Sequence, residues 1–466
     1  MYALFKPELL ELARTVYQQH ALFERGGIPA EELSSIQLGR LKHILNYVKT
    51  DSPFYRNTLS FLSLSAIDTL DWNTFRKLPF TTKSDLCEAG HDMAAAPLKK
   101  AWVYYETTGT TGPATPCPRN EHDSIFNNTP LILRYEELFR VHGQQHIVGV
   151  MGPTELHSTG DTFEDVCRSL GHTVVKMWPR SPVVGLDRAI TLIKELKITA
   201  LVCTPAVAIS LARHLLKKGQ SPSALGVKLI FTLGELTTPA LLRNIGDVWG
   251  SAVYNCMYAS QESSILAVSD KDGNLCTVPL NVVYEVVNPL TGQVLEPENA
   301  RMTGELVITH LYQGQKPLIR YRTGDMVRAQ VVDKGKWQII PVGRVRDTLV
   351  INGHNHCAYD VEAALFEHLK GCLDYHIKVE TLAGVDQLRV TLELERNAAT
   401  HNDLEAVAGA MEVRLGACVY ITVGPIDAVT GTAAMVSWKA ARLHDKRSGS
   451  DNQERETALK IAARRA

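Results

Sequence analysis

Between His146 and Ala259, short apolar runs alternate with stretches of helical period. HIVGVMGP, HTVVKMW, ITALVCTP, VKLIFTLGE and SAVYNCMYA read as buried strands. Between them Leu186, Ile190, Ile193 and Leu196 fall on one helical stripe, and TPALLRNIGDVWG opens on a threonine cap with proline in its first turn. Strand–helix alternation of this kind predicts a mainly parallel sheet covered on both faces. Ligands of such sheets sit beyond the carboxyl ends of the strands, and Gly234–Glu235 and Tyr258–Glu262 are expected at two of those ends. Gly/Asp-rich turns between Asp270 and Glu305 predict a β-rich subdomain. After Arg346 the pattern changes: a helix (Tyr359–Leu369), strands in HIKVE and LRVTLELE, a helix (Asn402–Leu415) and a strand in VYITVG form a compact α+β unit. Beyond Arg447 the chain is polar and highly charged, a frayed or helical end without chemistry. The predicted class is α/β: a large N-terminal domain (residues 1–345) of mainly parallel sheets flanked by helices plus a β-rich subdomain, and a small α+β C-terminal domain (residues 346–466).

Composition narrows the partners. A chain of 466 residues has room for two or three domains, and 45% hydrophobic with 21% charged residues is ordinary for a globular protein. The net charge of −1 gives bulk electrostatics no means of recruiting nucleic acid or an anionic membrane, so an anionic ligand needs a local site. Nine scattered cysteines, odd in number and without a CxxC, suit reduced thiols in the cytoplasm. MYALFKPELLELARTVY lacks a signal pattern and no apolar run is long enough to span a bilayer, which together predict a soluble, cytoplasmic protein.

One loop stands out. In YYETTGTTGPATPCPRN the six residues Thr107, Thr108, Gly109, Thr110, Thr111 and Gly112 are only threonine or glycine. Such a segment lets backbone N–H groups approach an anion closely, usually phosphate. It is neither a Walker loop nor GxGxxG, and a flexible turn stands as the alternative. GHNHC offers His354, His356 and Cys357 as ligand types, but no fourth ligand is spaced to join them, and no metal site is expected there.

Set beside later motifs, the loop resembles the Ser/Thr/Gly phosphate loop of the adenylate-forming superfamily of acyl-CoA synthetases, peptide-synthetase adenylation domains and luciferases. YASQE (Tyr258–Glu262) resembles that superfamily's Tyr-Gly-x-Thr/Ser-Glu. YRTGD (Tyr321–Asp325) and GRVRD (Gly343–Asp347) resemble its ribose and hinge motifs, and all follow in the family's order. RLKHILNYVKTDSPFYRN, LPFTTKSDL and WKAARLHDKR look like segments of the phenylacetate–CoA ligase branch.

The resemblance implies ATP, Mg²⁺ and CoA. The loop from Thr107 to Gly112 would wrap the β- and γ-phosphates, although the family's Lys-Pro after it is Pro113-Ala114 here. Glu262 would hold Mg²⁺, a hard cation that takes carboxylate and phosphate oxygens. Gln261 stands where the family has a hydroxyl residue; Tyr258, followed by Ala259, would stack on adenine, with Gly234 and Glu235 lining the base pocket. Asp325 would accept both ribose hydroxyls, supported by Arg344. His157, in PTELHSTG, would lie beside the acyl pocket, with a core histidine as the alternative. Lys439 is the implied adenylation lysine, preceded by Trp438 in place of the family's glycine, and Lys446 is a second candidate. Arg346 marks the hinge about which the small domain turns, and Gly353 would line the pantetheine tunnel. The implied reaction joins ATP and a carboxylic acid, aromatic or cyclic by branch, into acyl-AMP and passes the acyl group to CoA. An amide synthetase or carrier-protein loader with an amine or pantetheine acceptor, and a degenerate nucleotide-binding protein, are the alternatives.

Overall fold

The computed structural model describes residues 6–107, 114–333, 335–396, 398, 402–426, 438–447 and 455–456. Thr108, Gly109, Thr110, Thr111 and Gly112, and most of the tail beyond Arg447, lie outside them. Strands β1 (Val103–Glu106) and β2 (Pro116–Arg119) form an antiparallel hairpin at the base of the Thr/Gly loop. Thr107 closes it: its N–H donates to Thr115 O at 3.1 Å, and its hydroxyl accepts from Thr115 N–H at 2.9 Å.

Each of the five apolar runs contributes a strand to one parallel sheet. β3 (Ile147–Met151), β4 (Thr173–Lys176), β5 (Ala200–Cys203), β6 (Leu229–Thr232) and β7 (Ala252–Asn255) lie in the order β4-β3-β5-β6-β7. Alternation along β5 sends Ala200 and Val202 into one apolar cluster and Leu201 and Cys203 into another. Helices Pro205–Lys217 and Pro239–Trp249 start at the carboxyl edge of this sheet, where the hydroxyls of Thr204 and Thr238 accept from Val207 and Leu241 N–H groups.

Tyr258–Glu262 differs in placement from the sequence expectation. The run SAVYNCMYA breaks at Cys256, whose N–H donates to Thr232 O while its C=O accepts from Ser269 N–H. One residue thus carries the chain from the parallel sheet into a seven-stranded antiparallel one. Its members are β8 (Met257–Ser260), β9 (Ser264–Ser269), β10 (Leu275–Thr277), β11 (Val282–Val287), β12 (Arg301–His310), β13 (Tyr321–Asp333) and β14 (Lys336–Arg344), ordered β11-β12-β13-β14-β10-β9-β8. The YASQE segment is therefore the first strand of the second sheet and the turn after it. A run of strand-forming residues on both sides of Cys256, broken only by Asn255, hid the change of sheet.

The last part of the chain begins with a hairpin of β15 (Leu349–Ile351) and β16 (His354–His356). Its turn residues Asn352 and Gly353 both have positive φ, 46° and 82°, as a two-residue hairpin of this hand requires. Helix Ala358–Phe366, β17 (Cys372–Leu382), β18 (Val385–Leu394), helix Leu404–Leu415, β19 (Cys418–Val423), helix Trp438–Arg442 and β20 (Leu443–Asp445) follow, with the sheet ordered β19-β18-β17-β20. Among the described residues no helix is long and apolar enough to cross a membrane, and all nine cysteines are free thiols.

This unit shares a core with the parallel sheet: one apolar cluster includes Leu201, Ile230, Ile245 and Trp249 together with Val361, Leu365, Ile377 and Leu392. Asn244 makes the junction specific. Its amide donates to Cys372 O at 2.8 Å and accepts from Cys372 N–H at 2.9 Å, as a neighbouring strand would at this bulged end of β17. Asn244→Ala leaves both buried backbone groups without partners, and should cost about 1–3 kcal/mol in denaturant unfolding of the full chain.

Candidate active site

The register of one hairpin builds half of the site. Asp325 of β13 lies directly opposite Arg344 of β14, with Arg344 Nε 3.5 Å from Asp325 Oδ1. Tyr258 of β8 donates its hydroxyl to Asp325 Oδ2 at 2.7 Å. Burial raises the Asp325 pKa, opposed by the Arg344 charge and the Tyr258 hydrogen bond.

Glu262 forms the other half. Lys83 Nζ donates to its Oε1 at 2.8 Å, and the Tyr321 hydroxyl donates to the same oxygen at 3.2 Å. Burial works against ionisation here, but the Lys83 charge and hydrogen bond, with Lys316 behind, prevail and hold the carboxyl at about 2. Glu262 is therefore a carboxylate at any working pH, and its Oε2 has no hydrogen bond among the described residues. That donor set suits a hard divalent cation carried in on phosphate oxygens.

Lys83 was not singled out from the sequence. It is placed by Thr81, whose N–H donates to Arg320 O and whose C=O accepts from Arg322 N–H in a parallel bridge to Tyr321. Thr82 and Asp85 then cap helix Lys83–Ala89 reciprocally. The Thr-x-x-Asp spacing of TTKSDL was the available signal. Lys316 and Arg119 also escaped notice. Buried Lys316 donates to Pro116 O of β2 at 2.6 Å, and Arg119, at the end of β2, lies over the Tyr105 ring and donates to Gln261 O at 3.3 Å. Three cations thus lie at the base of the Thr/Gly loop, while the sequence Pro113-Ala114 that follows it supplies none.

Gln261 joins the His157 segment to this cluster. Ser158 donates to Gln261 Oε1 at 2.6 Å, and Gln261 Nε2 donates to Leu156 O at 3.4 Å. His157 Nδ1 accepts from Thr159 N–H at 3.2 Å, so the neutral ring carries its proton on Nε2. Burial, with Arg119 nearby, brings its pKa down to about 4. Ala259 sits in β8 opposite Ile265.

Gly234 and Glu235 follow β6, with Gly234 at φ 77°. Glu235 Oε2 accepts from Ala206 N–H at 3.0 Å, while its Oε1 is buried with no hydrogen-bond partner among the described residues. Helix Trp438–Arg442 docks against this edge through Ala441 on Ala206, and the Arg442 charge faces Glu235. Lys439 rides on that helix and its charge helps to lower the Asp445 pKa; among the described residues no hydrogen bond or ion pair joins it to Glu262 or Asp325. Lys446 follows β20, its N–H on Val379 O. Gly353 stays in the β15–β16 turn, with open space where a Cβ would stand. Cys357 donates to Asp360, which also pairs with Arg328 at 2.8 Å.

The structure therefore brings Tyr258, Gln261, Glu262, Asp325 and Arg344 to one place, sets the helix that carries Lys439 against the edge at Ala206 and Glu235 through Ala441 and Arg442, and leaves Gly353 in its own hairpin. Solved structures share the fold. 2-Hydroxyisobutyryl-CoA ligase in the postadenylation state, in complex with R3-HIB-AMP, superposes with a TM-score of 0.73 at 20% identity, over 94% of this chain and 93% of that one. The same enzyme with 2-HIB-AMP and CoA, in the thioesterification state, gives 0.59 at 21% identity over 93% of each chain. By sequence, phenylacetate-coenzyme A ligase of Thermus thermophilus is 27% identical over 390 residues, 79% of this chain and 82% of the relative. That of Escherichia coli K12 is 25% identical over 441 residues, 90% of this chain and 96% of the relative. The family described as AMP-binding enzyme matches residues 29–312, more than half of the sequence and the stretch that supplies Lys83, Glu235, Tyr258 and Glu262. The chain belongs to the AMP-binding enzyme family, on its phenylacetate–CoA ligase-like side.

Proposed function

We propose that this chain is an AMP-forming acid–CoA ligase. A carboxylate oxygen attacks the α-phosphorus of ATP, the bond to pyrophosphate breaks, and acyl-AMP forms. The CoA sulfur then attacks the acyl carbon, AMP leaves with the bonding electrons, and the thiol proton passes to solvent. The observation that carries this reading is the meeting of Tyr258, Glu262, Asp325 and Arg344, drawn from three separate motifs, around two carboxylates.

In this reading residues 1–345 bind ATP and the acid, and residues 346–466 carry the lysine. Asp325 accepts the ribose hydroxyls, and Tyr258, Gly234 and Glu235 border the base. The Thr107–Gly112 loop holds the β- and γ-phosphates, with Lys83, Lys316 and Arg119 supplying the cations that Pro113-Ala114 does not. Glu262 holds Mg²⁺, whose charge offsets that of the phosphates. His157, neutral and protonated on Nε2, can donate to a carboxylate without itself ionising. Lys439 answers the negative charge that builds as two anions meet. The acid is aromatic or cyclic; an amine or a carrier protein as acceptor is the competing outcome of the last test below.

Lys439→Ala should slow acid-dependent pyrophosphate release by about 10²-fold or more and spare thioester formation from pre-made acyl-AMP. A near-normal release rate would transfer the role to another lysine.

Asp325→Ala should raise the KM for ATP roughly ten- to a hundredfold, since ribose contacts serve ground and transition states alike. Glu262→Gln should raise the Mg²⁺ concentration for half-maximal rate about tenfold, the scale of one charged contact. If titrations of both variants against ATP and Mg²⁺ overlay the wild type, the nucleotide is elsewhere.

Gly353→Asn adds bulk with a residue that tolerates positive φ. If Gly353 lines the acceptor path, pyrophosphate release persists while CoA consumption collapses; parallel loss of both marks a turn residue alone. Release of pyrophosphate by the wild type without CoA consumption, accelerated by an amine or carrier protein, would establish the competing acceptor.

A further inference from the structure

Trp438 stands directly before Lys439, where the family resemblance leads to glycine, and its indole is engaged. Trp438 Nε1 donates to the Tyr375 hydroxyl at 2.9 Å, Tyr375 donates to Glu362 Oε2 at 2.6 Å, and Glu362 Oε1 accepts from Thr238 N–H at 3.3 Å. Tyr375 and Glu362 are 1% and 2% exposed. Buried hydroxyl and carboxyl groups are costly without partners, so these hydrogen bonds fix the geometry of whatever they join. They join four elements: helix Trp438–Arg442, β17, helix Ala358–Phe366, and the cap of helix Pro239–Trp249. Thr238 belongs to the carboxyl edge of the parallel sheet, three residues past Glu235. On the same short helix, Arg442 pairs with buried Asp374, and Arg213 of helix Pro205–Lys217 reaches both Asp374 and Glu393.

We propose that Glu362 and Tyr375 are positioning residues for Lys439: through Trp438 they clamp the lysine-bearing helix against the Gly234–Glu235 side of the site for adenylation. The proposal rests on Lys439 being the adenylation lysine.

The carboxyl at the centre of the clamp also gives it a pH dependence. Burial pushes Glu362 up to about 7, against the Tyr375 hydrogen bond, the Arg442 charge and the Thr238 N–H. The titratable and charged groups facing it are Tyr359 on its own helix, Tyr375 on β17 and Arg442 on the lysine helix, while helix Pro239–Trp249 presents Thr238. In this proposal the lysine helix completes the burial of Glu362, so docking favours the neutral carboxyl. The contribution to docking is full below the ordinary carboxyl value of 4.5 and is lost as pH rises to about 7.

Acid-dependent pyrophosphate–ATP exchange reads adenylation alone. Tyr375→Phe should lower its kcat about tenfold with the KM for ATP unchanged. Glu362→Gln keeps an acceptor for Tyr375 and cannot ionise; it should retain most of the rate and lose the decline that the wild type shows as pH rises from 4.5 to about 7. In the Lys439→Ala background Tyr375→Phe should cost nothing more, because a residue that acts through the lysine has nothing left to place. An additional tenfold loss in that background, or a Glu362→Gln pH profile that matches the wild type, overturns the proposal. Should Tyr375→Phe melt early, the Glu362→Gln profile decides. Slow exchange in Lys439→Ala beside unaltered exchange in Tyr375→Phe removes the clamp alone. Near-normal exchange in Lys439→Ala removes the lysine assignment, and the clamp with it.

Discussion

The bridge between Thr81 and Tyr321 is the constraint on which the cluster around Glu262 and Asp325 depends. Its two backbone hydrogen bonds are buried, and Tyr55 adds its hydroxyl to Thr81 Oγ1 and accepts from Ile319 N–H. Two residues beyond Thr81 comes Lys83, so the bridge delivers a cation to Glu262. The strand it grips, β13, exposes Tyr321 and Asp325 on one face by alternation, the first for Glu262 and the second for Tyr258 and Arg344. Immediately before Tyr321, Arg320 turns elsewhere, into a buried pair with Glu285 and onto the Phe80 ring at 4.2 Å. One face of the strand is thus anchored in the N-terminal region while the other presents chemistry.

The two carboxylates of the site are treated oppositely by their surroundings. Glu262 meets a lysine at hydrogen-bond distance and stays ionised despite burial. Asp325 meets a tyrosine and a more distant arginine, and burial wins. In the proposed function, the first arrangement keeps Glu262 ionised for a metal, and the second leaves Asp325 to accept neutral hydroxyls.

Much of this was legible in the sequence because it is local. The apolar runs of β3 to β7 are continuous, the caps at Thr204 and Thr238 lie beside their helices, and the unit after Arg346 has the periods of the strands and helices it forms. The switch of sheets at Cys256 was hidden because Ala252–Asn255 and Met257–Ser260 are both half-buried strands of similar composition. Lys83 was hidden for another reason: its partner is Glu262, far along the chain, and a single lysine in a helical first turn reads as a solvated cation. Gly353 shows the limit from the other side. Its motif position suggests a ligand path, while the local backbone explains it fully as one of two left-handed turn residues.

The apolar cluster that passes from the parallel sheet into β17 and β18 gives the union of the two units a thermal character. Helix Pro239–Trp249 packs on helix Ala358–Phe366, and helix Pro205–Lys217 on β17. Separating these surfaces wets hydrocarbon and raises the heat capacity, so the free energy of docking is curved in temperature rather than steadily rising on cooling. There is a temperature at which the two units hold each other hardest. Cold loosens them as heat does, which sets the apolar junction a temperature window that a junction held by charge alone does not have.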